Sequence, residues 1–197
     1  MSSSSPTDLP IAPLTATTAA DALTQLQTRR AQLPGARALM RMRAGQQSFK
    51  AQLRVQGDRM ELTVYTPLNT SAATLYAEGD RVTFLNHLEL TQWQGSASEL
   101  AGSLGVFGSK PSDLAFLILG FPASTGRYDA TPAGLAHATL GSIDATFEPP
   151  SLPSKHVTIE HGAQRIECEM LDVAESSDPL RAPKIPRDYQ QGGVPRV

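Results

Sequence analysis

From Ala36 to Trp93 the chain sets apolar side chains at alternate positions, in runs cut by short groups of turn formers. Ala36, Ala38, Met40 and Met42 alternate with Arg37, Leu39, Arg41 and Arg43. Phe49, Ala51, Leu53 and Val55 alternate with Lys50, Gln52, Arg54 and Gln56, and Met60, Leu62 and Val64 with Glu61, Thr63 and Tyr65. Successive side chains of a strand point to opposite faces, so this period predicts half-buried antiparallel strands. Gly57-Asp58 and Glu78-Gly79-Asp80 are turn sequences. Ala73–Tyr76, Val82–Leu85 and Leu88–Trp93 then complete six strands joined as a meander.

Helical spacing appears on either side of that block. Thr18 with Asp21 three residues on is an N-cap signal, and Ala22, Leu23, Leu26, Arg30 and Leu33 follow before Pro34-Gly35 stops the helix. Ser96–Leu104 and Pro111–Leu119 predict two short helices, the second with Pro111 near its first turn, Gly120 just past its end and a greasy Leu114/Leu117/Ile118 face. After a Gly/Pro-rich joint at 121–134, alternation returns over Ala138–Phe147, His156–Glu160 and Gln164–Val173. The last run sets Ile166, Cys168 and Met170 on one face and Glu167 and Glu169 on the other, so the lone thiol reads as a core residue.

The 197 residues suit one domain. The expected organisation is a Ser/Thr/Pro-rich tether over 1–17, a single domain over 18–175 and a Pro-rich, loose or extended tail over 176–197. The fold class is α+β: a strongly curved antiparallel sheet of about ten strands, a half-open barrel with helices over its concave apolar face. Three short helices cover such a face incompletely, which predicts an apolar cavity. Its candidate lining is Met40, Phe49, Leu53, Leu62, Val64, Phe84, Trp93, Leu114, Leu117 and Ile118.

The chemistry is constrained mainly by what the sequence lacks. A net charge of −2 gives no global attraction for nucleic acid, and no nucleic-acid partner is expected. One cysteine forms neither an internal disulfide nor a cysteine zinc cluster. His156 and His161, five apart on one strand, face opposite ways, and Gly102-Ser103-Leu104-Gly105 is only a faint phosphate cradle. No nucleophile elbow, Walker loop or dinucleotide fingerprint occurs, so no enzyme, metal or cofactor is expected. Eight of the 17 basic residues lie between Arg29 and Arg59 against only Asp58. Arg37, Arg41, Arg43 and Arg54 are therefore candidates for docking an acidic partner, although the solvated outer face of a strand pair would look the same.

The run Leu62-Thr63-Val64-Tyr65-Thr66-Pro67-Leu68-Asn69-Thr70, the stretch Leu117-Ile118-Leu119-Gly120-Phe121-Pro122 and the late hairpin from Pro153-Ser154-Lys155-His156 to Gly162-Ala163-Gln164-Arg165-Ile166 together resemble the outer-membrane lipoprotein receptor family LolB and its relatives, in order from about residue 20 to 175. The resemblance implies a half-barrel that receives the acyl chains of a lipoprotein from a periplasmic LolA-like carrier. It also implies delivery of that cargo to the inner leaflet of the outer membrane, with Leu68 at the tip of a membrane-inserting loop. Family members carry an acylated N-terminal Cys where this sequence has Met1, so a signal sequence, a lipid anchor and a location on the periplasmic face of the outer membrane are expectations that the resemblance supplies. A protein-interaction or stress-sensing scaffold of the envelope on the same half-barrel is the alternative.

Overall fold

The computed structural model describes residues 8–104, 110–123 and 125–195. Residues 1–7 of the expected tether, 196–197 of the tail and Gly105 of the faint cradle lie outside them. The described residues form a large curved, unclosed, mostly antiparallel sheet with three helices. The predicted meander is present as β2 (Ala36–Ala44), β3 (Gln47–Gln56), β4 (Arg59–Tyr65), β5 (Ser71–Glu78), β6 (Arg81–Asn86) and β7 (Thr91–Ser96). Leu88, expected to begin the last strand, lies instead in the turn before it.

The second block holds β8 (Arg127–Thr131), β9 (Gly134–Leu140), β10 (Ile143–Glu148), β11 (His156–His161) and β12 (Gln164–Glu175). Two stretches of this block differ from expectation. Arg127–Thr131, read as part of a joint, is a strand paired with β9, and Ala138–Phe147, read as one strand, is a hairpin folded at Gly141. Gly141 takes a φ of 62°, a left-handed conformation open to glycine at little cost, which lets Leu140 pair directly with Ile143. β2 and β12 lie side by side and join the blocks, so the sheet runs from β7 through β2 and β12 to β8 with its long strands all antiparallel. Alternation alone would carry Asp172 inward after Met170. A bulge at Leu171 shifts the phase, so that Val173 pairs with Ala38.

Helix α1 (Ala19–Gln32) begins as expected: the Thr18 hydroxyl accepts from the Asp21 N–H at 3.1 Å, and Arg29 and Arg30 occupy the last turn. It packs on β8 and β9, α2 (Ala97–Leu104) on β6 and β7, and α3 (Pro111–Ile118) across β3, β4 and β5. After α3 the Phe121 N–H donates to the Phe116 carbonyl and the Gly120 N–H to that of Leu117. This is a Schellman ending, completed by the positive φ of Gly120.

Neither end of the described chain is loose. Residues 8–17, expected as a tether, form a strap: β1 (Leu9–Pro10) pairs with Ala174 and Glu175, Ile11 is buried, and the Arg29 guanidinium donates to the Ala12 and Pro13 carbonyls. The C-terminal segment is extended but pinned. The Leu180 N–H donates to Gln56 Oε1 at 2.8 Å with its side chain buried, the Tyr189 hydroxyl lies 2.6 Å from His87 Nδ1, and β13 (Gln190–Gln191) runs parallel to β7. The C-terminal segment is thus a second strap, which crosses the outer face of the meander. Beneath its path lie Tyr76 and Leu85, both outward-pointing and both buried. Proline-rich chain needs no internal hydrogen bonds to stay extended, so it supplies a cover without a helix.

Candidate functional site

Strand register gathers the candidate lining residues of the sheet on one wall, and Leu114, Leu117 and Ile118 come from α3. Leu53 pairs with Leu62, Leu62 with Leu75, Leu75 with Phe84 and Phe84 with Trp93, one continuous inward row across β3 to β7. The adjacent row is Met170, Met40, Ala51, Val64 and Ala73. Phe49 pairs with Met42 one step further along. This follows from the two-residue period, because a sheet in register aligns every inward position of every strand.

Burial divides these residues. Met40, Leu53, Trp93, Leu114 and Leu117 are buried, the first two and Leu117 at no more than 1% exposure, and belong to the packed core. Phe49, Leu62, Val64, Phe84 and Ile118 are only partly buried. The eight residues of α3 cover the middle of the wall and leave its flanks partly open. Thr63, outward by alternation, is buried as well, on the side that the C-terminal strap crosses.

A groove of about 550 Å³ opens at the end of the sheet that carries the Gly57 turn, walled by Gln27, Arg30, Leu33, Phe116 and Pro122. None of the ten expected lining residues is among its walls. Arg30 dominates it. Its guanidinium pairs with Asp113 of α3, donates to the Pro122 carbonyl and lies 4.7 Å from the centre of the Phe116 ring, so one side chain ties α1 to α3 and to the chain beyond. The sequence shows Arg30 only as one cation of a cluster; its pairing with Asp113 of another helix, 83 residues away, has no local signature.

The expected one-signed basic field is largely neutralised, because acids distant in sequence arrive on neighbouring strands. Arg37 pairs with Asp8 at 2.6 Å and Asp172 at 2.8 Å, Arg41 with Glu169 at 2.6 Å, and Arg54 with Glu61 at 3.6 Å. Counting charge along the chain missed these partners, since antiparallel pairing sets Glu169 opposite Arg41 and Glu61 opposite Arg54. Arg43 is exposed and has no acidic side chain within ion-pair distance among the described residues. Three of the four candidate docking arginines thus stand in a cross-strand charge ladder, and Arg43 stands outside it.

Leu68 is 86% exposed at the tip of the β4–β5 turn. The turn is closed on itself: the Thr66 N–H donates to the Thr70 carbonyl, the two threonine hydroxyls lie 2.7 Å apart, and Asn69 takes a φ of 65°. Lys50 donates to Asn69 Oδ1, holding the turn to β3. The leucine is thus presented by a firm support. Cys168 is buried between Val157 and Met42, and burial pushes its thiol up to about 12, which makes it a poor nucleophile.

Among the described residues no group of three or more His, Cys, Asp or Glu side chains converges as a metal site requires, and no helix is long and apolar enough to cross a membrane. No family model matches the sequence, and no curated protein matches it. Among solved structures, an uncharacterized conserved protein from Thermus thermophilus is similar at a TM-score of 0.47 and 9% identity over 88% of this chain and 98% of its own. The LolA superfamily protein NE2245 from Nitrosomonas europaea is similar at a TM-score of 0.43 and 10% identity over 89% of this chain and all of its own.

Proposed function

We propose that the chain binds the acyl chains of a lipoprotein or lipid against its concave wall and passes them to a membrane at the Leu68 rim. The observation that carries this reading is the wall itself: Phe49, Leu62, Val64, Phe84 and Ile118 line the inner side of an unclosed sheet and remain only partly covered. Each methylene moved from water onto such a surface gains about 0.8 kcal/mol, so one long acyl chain supplies enough free energy for tight binding even with partial coverage. Release then requires a still better apolar solvent, which a bilayer provides, and an exposed Leu68 lowers the barrier to reaching it. On this reading the cargo comes from a carrier of similar fold, and the site of action is the inner leaflet of the outer membrane, reached through an N-terminal lipid anchor.

The test separates binding from delivery. Leu62→Glu should abolish binding of a fluorescent fatty-acyl probe, while Leu68→Glu should retain it and stall transfer of acylated cargo to liposomes. Unchanged probe binding in Leu62→Glu would remove the reading. A second reading, an interaction scaffold of the envelope, is favoured by the near-complete burial of Met40, Leu53 and Leu117. It predicts no saturable acyl binding in the unaltered protein.

A further inference from the structure

Five strand connections share the rim that bears Leu68: Gly45-Gln46, Thr66–Thr70, His87–Leu90, Gly141-Ser142 and Gly162-Ala163. Three are short glycine turns without a large apolar side chain. The other two are neighbours, and they carry Leu68, 86% exposed, Leu88, 69%, and Leu90, 44%. On the opposite rim the turns Gly57-Asp58, Gly79-Asp80 and Pro132-Ala133 present no exposed leucine. The exposed leucines of the turns are thus gathered on one rim.

Their spacing follows from the sheet. The two turns are offset by two strands, roughly 10 Å at the usual strand separation. The His87 N–H donates to the Ala72 carbonyl, joining the base of one turn to that of the other. Asn86 pairs with Ala73, whereas the Leu68 turn begins two residues further on, beyond Ser71, so Leu68 stands about 7 Å further out. The geometry is one deep finger and one shallow shoulder.

The shoulder is held in place. Asn86 Oδ1 accepts from the Leu88 and Glu89 N–H groups at 3.1 Å, and the Leu90 carbonyl accepts from the Gln190 N–H of the C-terminal strap. Leu90 has a φ of 54°, a conformation that Asn or Gly takes far more easily than leucine. The charges nearby are also informative. Arg43 and Lys50 flank this rim on β2 and β3 with no acidic side chain within ion-pair distance among the described residues, since Glu167 opposite Arg43 is paired with Arg165, while the Glu89 carboxylate accepts from the Asn86 amide. Exposed leucines bordered by unpaired cations match the boundary of an anionic bilayer, apolar below and phosphate above.

We propose that this rim is a two-point membrane contact, in which Leu88 and Leu90 seat in the interface of an anionic bilayer beside the deeper Leu68, with Arg43 and Lys50 facing lipid phosphates. The proposal deepens the delivery reading above and rests on it for the place of Leu68. Its new content is the β6–β7 turn and the lipid charge.

The test uses an environment-sensitive nitrobenzoxadiazole label at Leu88→Cys and, separately, at Leu68→Cys in the whole chain; the buried Cys168 should stay unlabelled. With vesicles of phosphatidylcholine and 30% phosphatidylglycerol, both labels should blue-shift, the Leu68 label being quenched by deeper bromine positions on the lipid tails. Leu88→Ser with Leu90→Asn, which also suits the positive φ, should weaken vesicle binding about tenfold without lowering the melting temperature. Arg43→Gln with Lys50→Gln should weaken binding several-fold to the anionic vesicles and not to neutral ones. A shift at Leu68 alone overturns the second contact and leaves the delivery reading standing. No shift at either position overturns both the inference and the delivery rim, whatever the acyl-probe result. A Leu88 shift that depends on protein concentration without vesicles assigns the turn to self-association and overturns the inference.

Discussion

The two halves of the inner wall are built from the same alternation and are finished differently. On β9, β10 and β11 the inward residues Ala138, Leu140, Ile143, Ala145, Phe147, Val157 and Ile159 are all at most 4% exposed. On β3, β4 and β6 the inward Ala51, Leu53, Val55, Met60 and Val82 are buried as well, but Phe49, Leu62, Val64 and Phe84 are partly open. Composition does not separate the two sets, since both are aliphatic with phenylalanine. The difference lies in the helices. The 14 residues of α1 lie on the β8–β9 side, whereas the eight of α3 are spread over three strands. One half of the molecule is finished as a core, and the other retains an apolar wall with partial cover. Stability and binding are accordingly expected to separate along the sheet.

The most severe test of that division is truncation on each side. Phe147→Ala should cost about 3–5 kcal/mol in chemical denaturation, because a fully buried ring leaves a cavity, while Phe84→Ala, partly solvated already, should cost less than about 2 kcal/mol. Equal costs would erase the distinction. Thiol access probes it without truncation. Cys168 should react with an aromatic disulfide reagent at pH 8 at least about a hundredfold more slowly than a cysteine introduced by Phe84→Cys, since burial suppresses its thiolate and closes its approach. Similar rates would show that the closed half opens as readily as the other.

Between the halves stands the Arg30–Asp113 pair, whose side chains are 19% and 13% exposed. Asp113→Ala leaves that guanidinium without its carboxylate and should cost about 1–3 kcal/mol by thermal or chemical unfolding, with Arg30→Ala adding little in the double variant. Full additivity would mean that the helices are joined by packing alone. The smallest effect belongs to the C-terminal strap. Burial lowers the His87 basicity below its ordinary 6.5, so the unfolded chain takes up the proton first. This contribution to stability is present above pH 6.5 and is lost as pH falls through the lowered folded value. His87→Gln should flatten the fall in melting temperature over that acidic window, and an unchanged slope would remove His87 from the account.

Much of the architecture was legible because period and turn chemistry are local. Six strands of the first block, the Thr18 cap and the Gly120 ending follow from residues within a few positions of one another, and the Cys168 face follows from alternation. The misses have physical causes. Arg127–Thr131 carries only the short alternation of Tyr128 and Ala130 inside a Gly/Pro-rich stretch, and becomes a strand by pairing with β9. The strap over the outer face lacks a helical or strand period, yet its trace was present elsewhere. Leu75-Tyr76-Ala77 and Phe84-Leu85 place apolar residues on both faces of their strands, the pattern of strands covered on both sides. For the candidate site, the shared wall was readable from parity, but which of its members stay partly open was not.

By itself the sequence determined the six strands of the first block, their inward faces and the turn that displays Leu68, because each depends on spacings of two to four residues. Only the tertiary structure decided which acid neutralises which arginine, which half of the wall is sealed and which turns share a rim. Those outcomes depend on partners scores of residues away, as with Arg41 and Glu169 or Arg30 and Asp113, and no local pattern encodes the geometry that brings them together.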